Sequence, residues 1–160
     1  MTDTKVPLAP LQVLQQFRVV FRAAQQHSAG IEKQLGIPGA QAWVLAELRE
    51  AGALKAGELA ARMSIKPATL SNMLLRLEEL GYVQRERNAR DQRVVEVMLT
   101  EAGRQLMAQA DFAPRGWLPE ALSRLGPSQL QALSEGLCAL LDGMGVEDRA
   151  AASAPLPFTE

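Results

Sequence analysis

The chain has 160 residues, 48% of them hydrophobic and 22% charged, with a formal net charge of −1. That length and apolar content suit a single domain with its own core, and no run of about 18 apolar residues is available for a membrane span. The single cysteine, Cys138, excludes an internal disulfide, which fits a reducing compartment; as a small hydrophobe in the last helix it is expected to be buried.

Met1 to Pro10 lacks the basic start and apolar centre of a signal peptide, so a cytoplasmic location is expected. Leu11, Leu14, Phe17, Phe21 and Ala24 then trace an apolar stripe at helical spacing and predict the first helix. Further along, Lys55 to Met63 reads as a short helix, with Leu59 and Met63 four residues apart and Ala60 and Ala61 small enough for a neighbour to approach closely.

The run from Ser64 to Gly81 carries its own boundaries. Ser64 fits an N-cap, while Lys66-Pro67 offers an alternative start, because proline at the first helical turn loses no hydrogen bond. Gly81 supplies the left-handed position on which helices commonly end. Leu70, Met73, Leu74 and Leu77 recur at three- and four-residue spacing and predict one buried face. The opposite face presents Pro67, Ala68, Thr69, Ser71, Asn72, Leu75 and Arg76, side chains suited to base edges, phosphates and thymine methyls in a major groove.

Two short runs follow, Tyr82 to Arg87 and Arg93 to Leu99, with the polar stretch Asn88-Ala89-Arg90-Asp91-Gln92 between them. They predict a two-stranded ribbon whose Arg85, Arg87, Arg90 and Arg93 would meet phosphates or a narrow minor groove. On spacing alone the two helices fit any helical hairpin, and a lone basic ribbon fits a solvated one. Their succession favours a winged helix-turn-helix laid against DNA. From Arg62 to Arg93 there are seven basic and four acidic residues, net +3, which leaves −4 for the rest of the chain. Positive charge is thus concentrated in one module of an otherwise acidic protein.

Thr100 is placed to cap a fifth helix, which Pro114 breaks or kinks near Ala113 because proline removes an interior hydrogen bond. Helix is expected to resume around Pro119 and again after Gly126-Pro127, where Leu130, Leu133, Leu137, Leu140 and Met144 form another apolar stripe. Neither terminal helix has enough neighbouring chain to cover its stripe, so interdigitation between two copies is expected; an intramolecular bundle is the alternative. Residues 147–160 are expected to be a flexible tail.

Catalysis is a poor fit. One histidine and one cysteine lie more than a hundred positions apart, and no HExxH, CxxC or phosphate-cradling glycine loop is present. Glu78-Glu79 suits the exposed end of a helix better than an acid–base pair. No cofactor and no metal site is expected.

Several motifs in one order resemble the MarR family of bacterial transcription regulators. They are a serine-opened recognition helix, Arg76-Leu77-Glu78-Glu79-Leu80-Gly81-Tyr82-Val83-Gln84-Arg85, Asp91-Gln92-Arg93, and Leu99-Thr100-Glu101-Ala102-Gly103. The resemblance covers roughly Leu8 to Met144 and implies a mainly α fold with a small β-wing. The winged helix-turn-helix would occupy 37–99, and a helical dimerisation region 8–35 and 100–146. It further implies a homodimer on a pseudo-palindromic operator in double-stranded DNA, usually a repressor released by a small molecule. The expected DNA-binding residues are Lys66, Pro67, Ala68, Thr69, Ser71, Asn72, Arg76, Arg85, Arg87, Arg90, Asp91 and Arg93, with Asp91 orienting Arg93. Family members commonly bind effectors between the dimer base and the winged module. Candidate residues there are Arg18, Arg22, His27, Ser28, Gln41 and Trp43, with Phe21 and Trp117 near them, a set suited to a small aromatic carboxylate. Against that stands a reading of Trp43 as core, His27 as merely hydrogen-bonded and the arginines as solvated. The alternative for the whole chain is a helical protein–protein interaction module that uses a winged-helix fold without specific DNA binding.

Overall fold

A computed structural model describes residues 9–88, 91, 94–110, 115–146 and 150–156. In chain order they form α1 (Pro10–Leu35), α2 (Gly39–Ala51), β1 (Ala53–Lys55), α3 (Ala56–Met63), α4 (Pro67–Glu79), β2 (Val83–Arg87), β3 (Val95–Leu99), α5 (Glu101–Ala108), α6 (Trp117–Ser123), α7 (Pro127–Gly143) and a short 3-10 helix (Ala150–Ser153). The fold is mainly α with a small wing, as the pattern predicted. Among the described residues, no helix is long and apolar enough to cross a membrane.

The wing has one strand more than the sequence suggested. β3 is central, paired antiparallel to β2 on one side and to the three-residue β1 on the other. β1 follows directly on Gly52, whose φ of 82° turns the chain out of α2. The core gathers Ile31 and Leu35 of α1, Val44, Leu45 and Leu48 of α2, Leu59 of α3, Leu70, Leu74 and Leu77 of α4, and Val97 and Leu99 of β3. Each large aliphatic side chain fully removed from water there contributes about 1.5–3 kcal/mol.

The helix boundaries differ from expectation at three places. Ser64 does not cap α4; it sits at φ 54°, the left-handed residue that closes α3, and Lys66 is the N-cap with Pro67 in the first turn. The fifth helix stops at Ala108, where Arg49 Nη1 donates to the Met107 carbonyl (3.0 Å) and Gln34 Nε2 to the Gln109 carbonyl (2.9 Å). Those side chains satisfy carbonyls that a helix end leaves open. Pro114 lies outside the described residues. Within the expected tail, residues 150–156 include the 3-10 helix, and the Ser153 carbonyl accepts from the Lys66 backbone N–H at 2.9 Å.

Candidate nucleic-acid interface and adjoining cavity

The recognition helix divides as its periodicity predicts. Leu70, Leu74 and Leu77 are buried and Met73 is half-buried, while Pro67, Ala68, Ser71, Asn72, Leu75 and Arg76 are exposed and Thr69 is half-exposed. Leu75 is 56% exposed on that outer face, a large apolar group with no core to fill. Lys66, also exposed, precedes the helix. Arg76 pairs with Glu79 at 3.1 Å on the surface, an exchangeable contact worth little by itself.

The wing is fastened to this helix at two points. Arg85 Nε meets Glu78 Oε1 at 2.9 Å, so Arg85, expected on DNA, also braces β2 against α4. At the base of the wing, the Thr100 hydroxyl donates to the Gly81 carbonyl (2.6 Å) and accepts the Gly103 N–H (3.1 Å), while the Thr100 N–H donates to the Tyr82 carbonyl (3.0 Å). A Cβ on Gly103 would lie 2.1 Å from the Tyr82 oxygen. The Leu99 to Gly103 motif is therefore a clasp that needs a hydroxyl at one place and no side chain at another.

Toward the tip, Arg87 is exposed, Asn88 Nδ2 donates to Glu96 Oε1 (2.8 Å), and the Asp91 carbonyl accepts from Val94 N–H (3.0 Å). Arg90 and Arg93 lie outside the described residues, and the expected Asp91–Arg93 contact lies there with them.

Beside the turn between α3 and α4 lies a cavity of about 200 Å³. Its walls come from α1 (Ala24, His27, Ser28, Ile31), α2 (Ala40, Trp43), the α3–α4 turn (Met63, Ser64, Ile65), the start of α6 (Trp117, Leu118, Pro119) and the C-terminal segment from Ala152 to Leu156. Of the expected effector residues, His27, Ser28 and Trp43 line it, as does Trp117. Arg18, Arg22 and Phe21 do not; they border a separate surface groove with Gln25 and Gln26. Gln41 is also absent from the cavity wall, and its Oε1 is buried with no hydrogen-bond partner among the described residues.

Sequence reasoning missed the charged centre beside the cavity. Glu47, 3% exposed, accepts Trp43 Nε1 (2.9 Å), Arg115 Nε (2.7 Å) and Arg62 Nη1 (3.4 Å), and Arg115 also pairs with Glu50. Burial pushes the Glu47 carboxyl up, but the hydrogen bonds from Arg115 and Trp43, the Arg115 charge and Arg62 together hold it below its ordinary range. The Glu47 hydrogen bond in turn raises Arg115. Arg115, which also lines the cavity, is thus already matched by two carboxylates. No local signal could have found a pairing of residues 68 apart in sequence.

A sequence profile of the MarR family matches residues 38–95. The HTH-type transcriptional repressor MdtR of Bacillus subtilis is 42% identical over 46% of this chain and 46% of its own length, so the chain spans about half of that relative. An uncharacterized HTH-type transcriptional regulator of Mycobacterium bovis is 32% identical over 61% of this chain and 71% of its own. Among solved structures, a mutant MarR from E. coli complexed with operator DNA is 26% identical, with TM-score 0.54, covering 81% of this chain and 96% of that one. These relatives are named as transcriptional regulators and not as enzymes, and the chain belongs to the MarR family.

Proposed function

We propose that the chain is a sequence-specific DNA-binding regulator that acts in the cytoplasm as a homodimer on a pseudo-palindromic operator. The observation that carries this reading is the α4 surface from Pro67 to Arg76, held outward by three buried leucines and flanked by a basic wing. Two copies related by a two-fold axis would set their recognition helices about 34 Å apart, one turn of DNA. Repression is supported by the kinship with a Bacillus repressor, and operator binding by the fold shared with a regulator crystallised on its operator.

The apolar stripes support the second copy. Leu11, Leu14, Phe21, Leu130, Leu133, Leu137, Leu140 and Met144 are all exposed in the single chain. Sedimentation at micromolar concentration should give a dimer, and a clean monomer would defeat this part.

The cavity supports a small aromatic effector, with the indoles of Trp43 and Trp117 in its wall. Its predominantly apolar wall shifts the anchor from charge to ring: an anion would compete with Glu47 and Glu50 for Arg115, and Arg18 and Arg22 face elsewhere. Calorimetry should therefore find the neutral amides of aromatic acids binding at least as tightly as the acids, and weakening operator binding. No heat from either set removes the effector.

Fluorescence anisotropy on DNA upstream of the protein's own gene tests the central reading. Specific binding should exceed that to random DNA, and Arg93→Ala should weaken both while lowering the salt slope by about one unit. Equal affinity for the two DNAs, or no salt dependence, overturns it.

A further inference from the structure

The C-terminal segment touches two things at once. Ala152, Ala154, Pro155 and Leu156 form one side of the cavity, while the Ser153 carbonyl between them accepts the Lys66 N–H at 2.9 Å. Lys66 is the N-cap of α4, where helical N–H groups lack acceptors within the helix, and its own side chain makes no capping hydrogen bond. A peptide carbonyl from 87 positions along the chain supplies an acceptor there instead. The turn between α3 and α4, Met63 to Ile65, forms the adjoining cavity wall, with Ser64 in the left-handed region at φ 54°. Cavity, strap and recognition-helix start therefore share one seam.

We propose that residues 150–156 are a strap that closes the cavity and fixes the start of the recognition helix, so that a molecule inside the cavity is sensed at α4 through Ser153 and Lys66. The proposal rests on the cavity reading given above. A ligand that fills the space presses Pro155 and Leu156 outward or holds them down, and either motion is carried by a short backbone to the Ser153 carbonyl. A neutral aromatic guest that packs against the strap holds it down, which protects the Lys66 amide.

The uncharged fluorophore 1-N-phenylnaphthylamine serves as probe, with the full chain compared to a chain ending at residue 149. In the full chain, probe loading should slow hydrogen exchange of the Lys66 amide at least threefold. In the shortened chain the probe should leave at least tenfold faster, and the unloaded Lys66 amide should exchange at least tenfold faster. Lys66→Pro isolates the seam without shortening the chain: it deletes the donor at a residue whose φ of −67° already suits proline, whereas Lys66→Ala removes the charge and keeps the N–H. Probe release should quicken at least threefold in Lys66→Pro and stay within twofold in Lys66→Ala. Unchanged release in both the shortened chain and Lys66→Pro, or unchanged Lys66 exchange on loading, overturns the strap while the cavity stands. Failure of the full chain to take up the probe removes the cavity and the strap together, and DNA binding measured in parallel shows whether the regulator reading survives.

Discussion

The winged module and the terminal helices treat their leucines in opposite ways. In α4, Leu74 is wholly buried and its neighbours on that face nearly so; in α7, at the same helical spacing, Leu137 is 39% exposed and no residue is buried. Periodicity alone cannot tell these helices apart, since both carry one apolar face. What separates them is the supply of partners within the chain. The module closes its core with α2, α3, α5 and the sheet, whereas the outer ends of α1 and α7 run out of neighbours. A reading surface is complete in one copy, and under the proposed dimer its spacing on DNA comes from two.

The largest way to break that contrast is Leu74→Ala, which empties space in a closed core. It should cost about 2–5 kcal/mol, read as a lower urea midpoint at any protein concentration. Leu137→Glu attacks the other region and should leave the helical spectrum nearly intact while turning the protein monomeric in sedimentation. Operator affinity should then fall about a hundredfold or more, because each half-site must be found separately. If Leu137→Glu instead melts the module, the two regions are not independent. Gly103→Ala forces a methyl against the Tyr82 carbonyl and should cost about 1–3 kcal/mol, with wing amides exchanging faster than those of α2.

The smallest effect is expected from Glu47→Gln. It keeps the volume and one acceptor but loses the charge that matches Arg115 and Arg62, for about 1–2 kcal/mol. Because the folded carboxyl is held below its unfolded value, its contribution is fully present above the ordinary glutamate range and is lost as pH falls through the lowered value. Urea midpoints of the wild type should drop more steeply than those of Glu47→Gln on acidification from pH 5 toward pH 3; parallel curves would remove Glu47 from the account.

Much of the reading surface was legible because it is local. The α4 face, Gly81 at φ 77° and the Thr100 cap each depend on residues within a few positions of one another. The effector set was less so. Arg18 precedes His27 by nine positions, about 180° around a helix of 3.6 residues per turn, and Arg22 by five, about 140°; His27 faces the cavity and the arginines therefore turn away from it. Arg115 reaches Glu47 across a loop of the fold that no pattern encodes. β1 is only three residues long, too short for alternation to register. Cys138, expected as a buried hydrophobe, is exposed on α7 for the same reason that its leucine neighbours are.

The Thr100 clasp also decides how motion travels. With the Gly103 backbone abutting the Tyr82 carbonyl, α5 and the base of the hairpin have no room between them, and a tilt of α5 would carry the hairpin with it. A five-residue strand reaches about 17 Å, so a 10° tilt of α5 sweeps the ribbon's far end through about 3 Å by that length, the difference between a guanidinium touching a phosphate and one left in solvent.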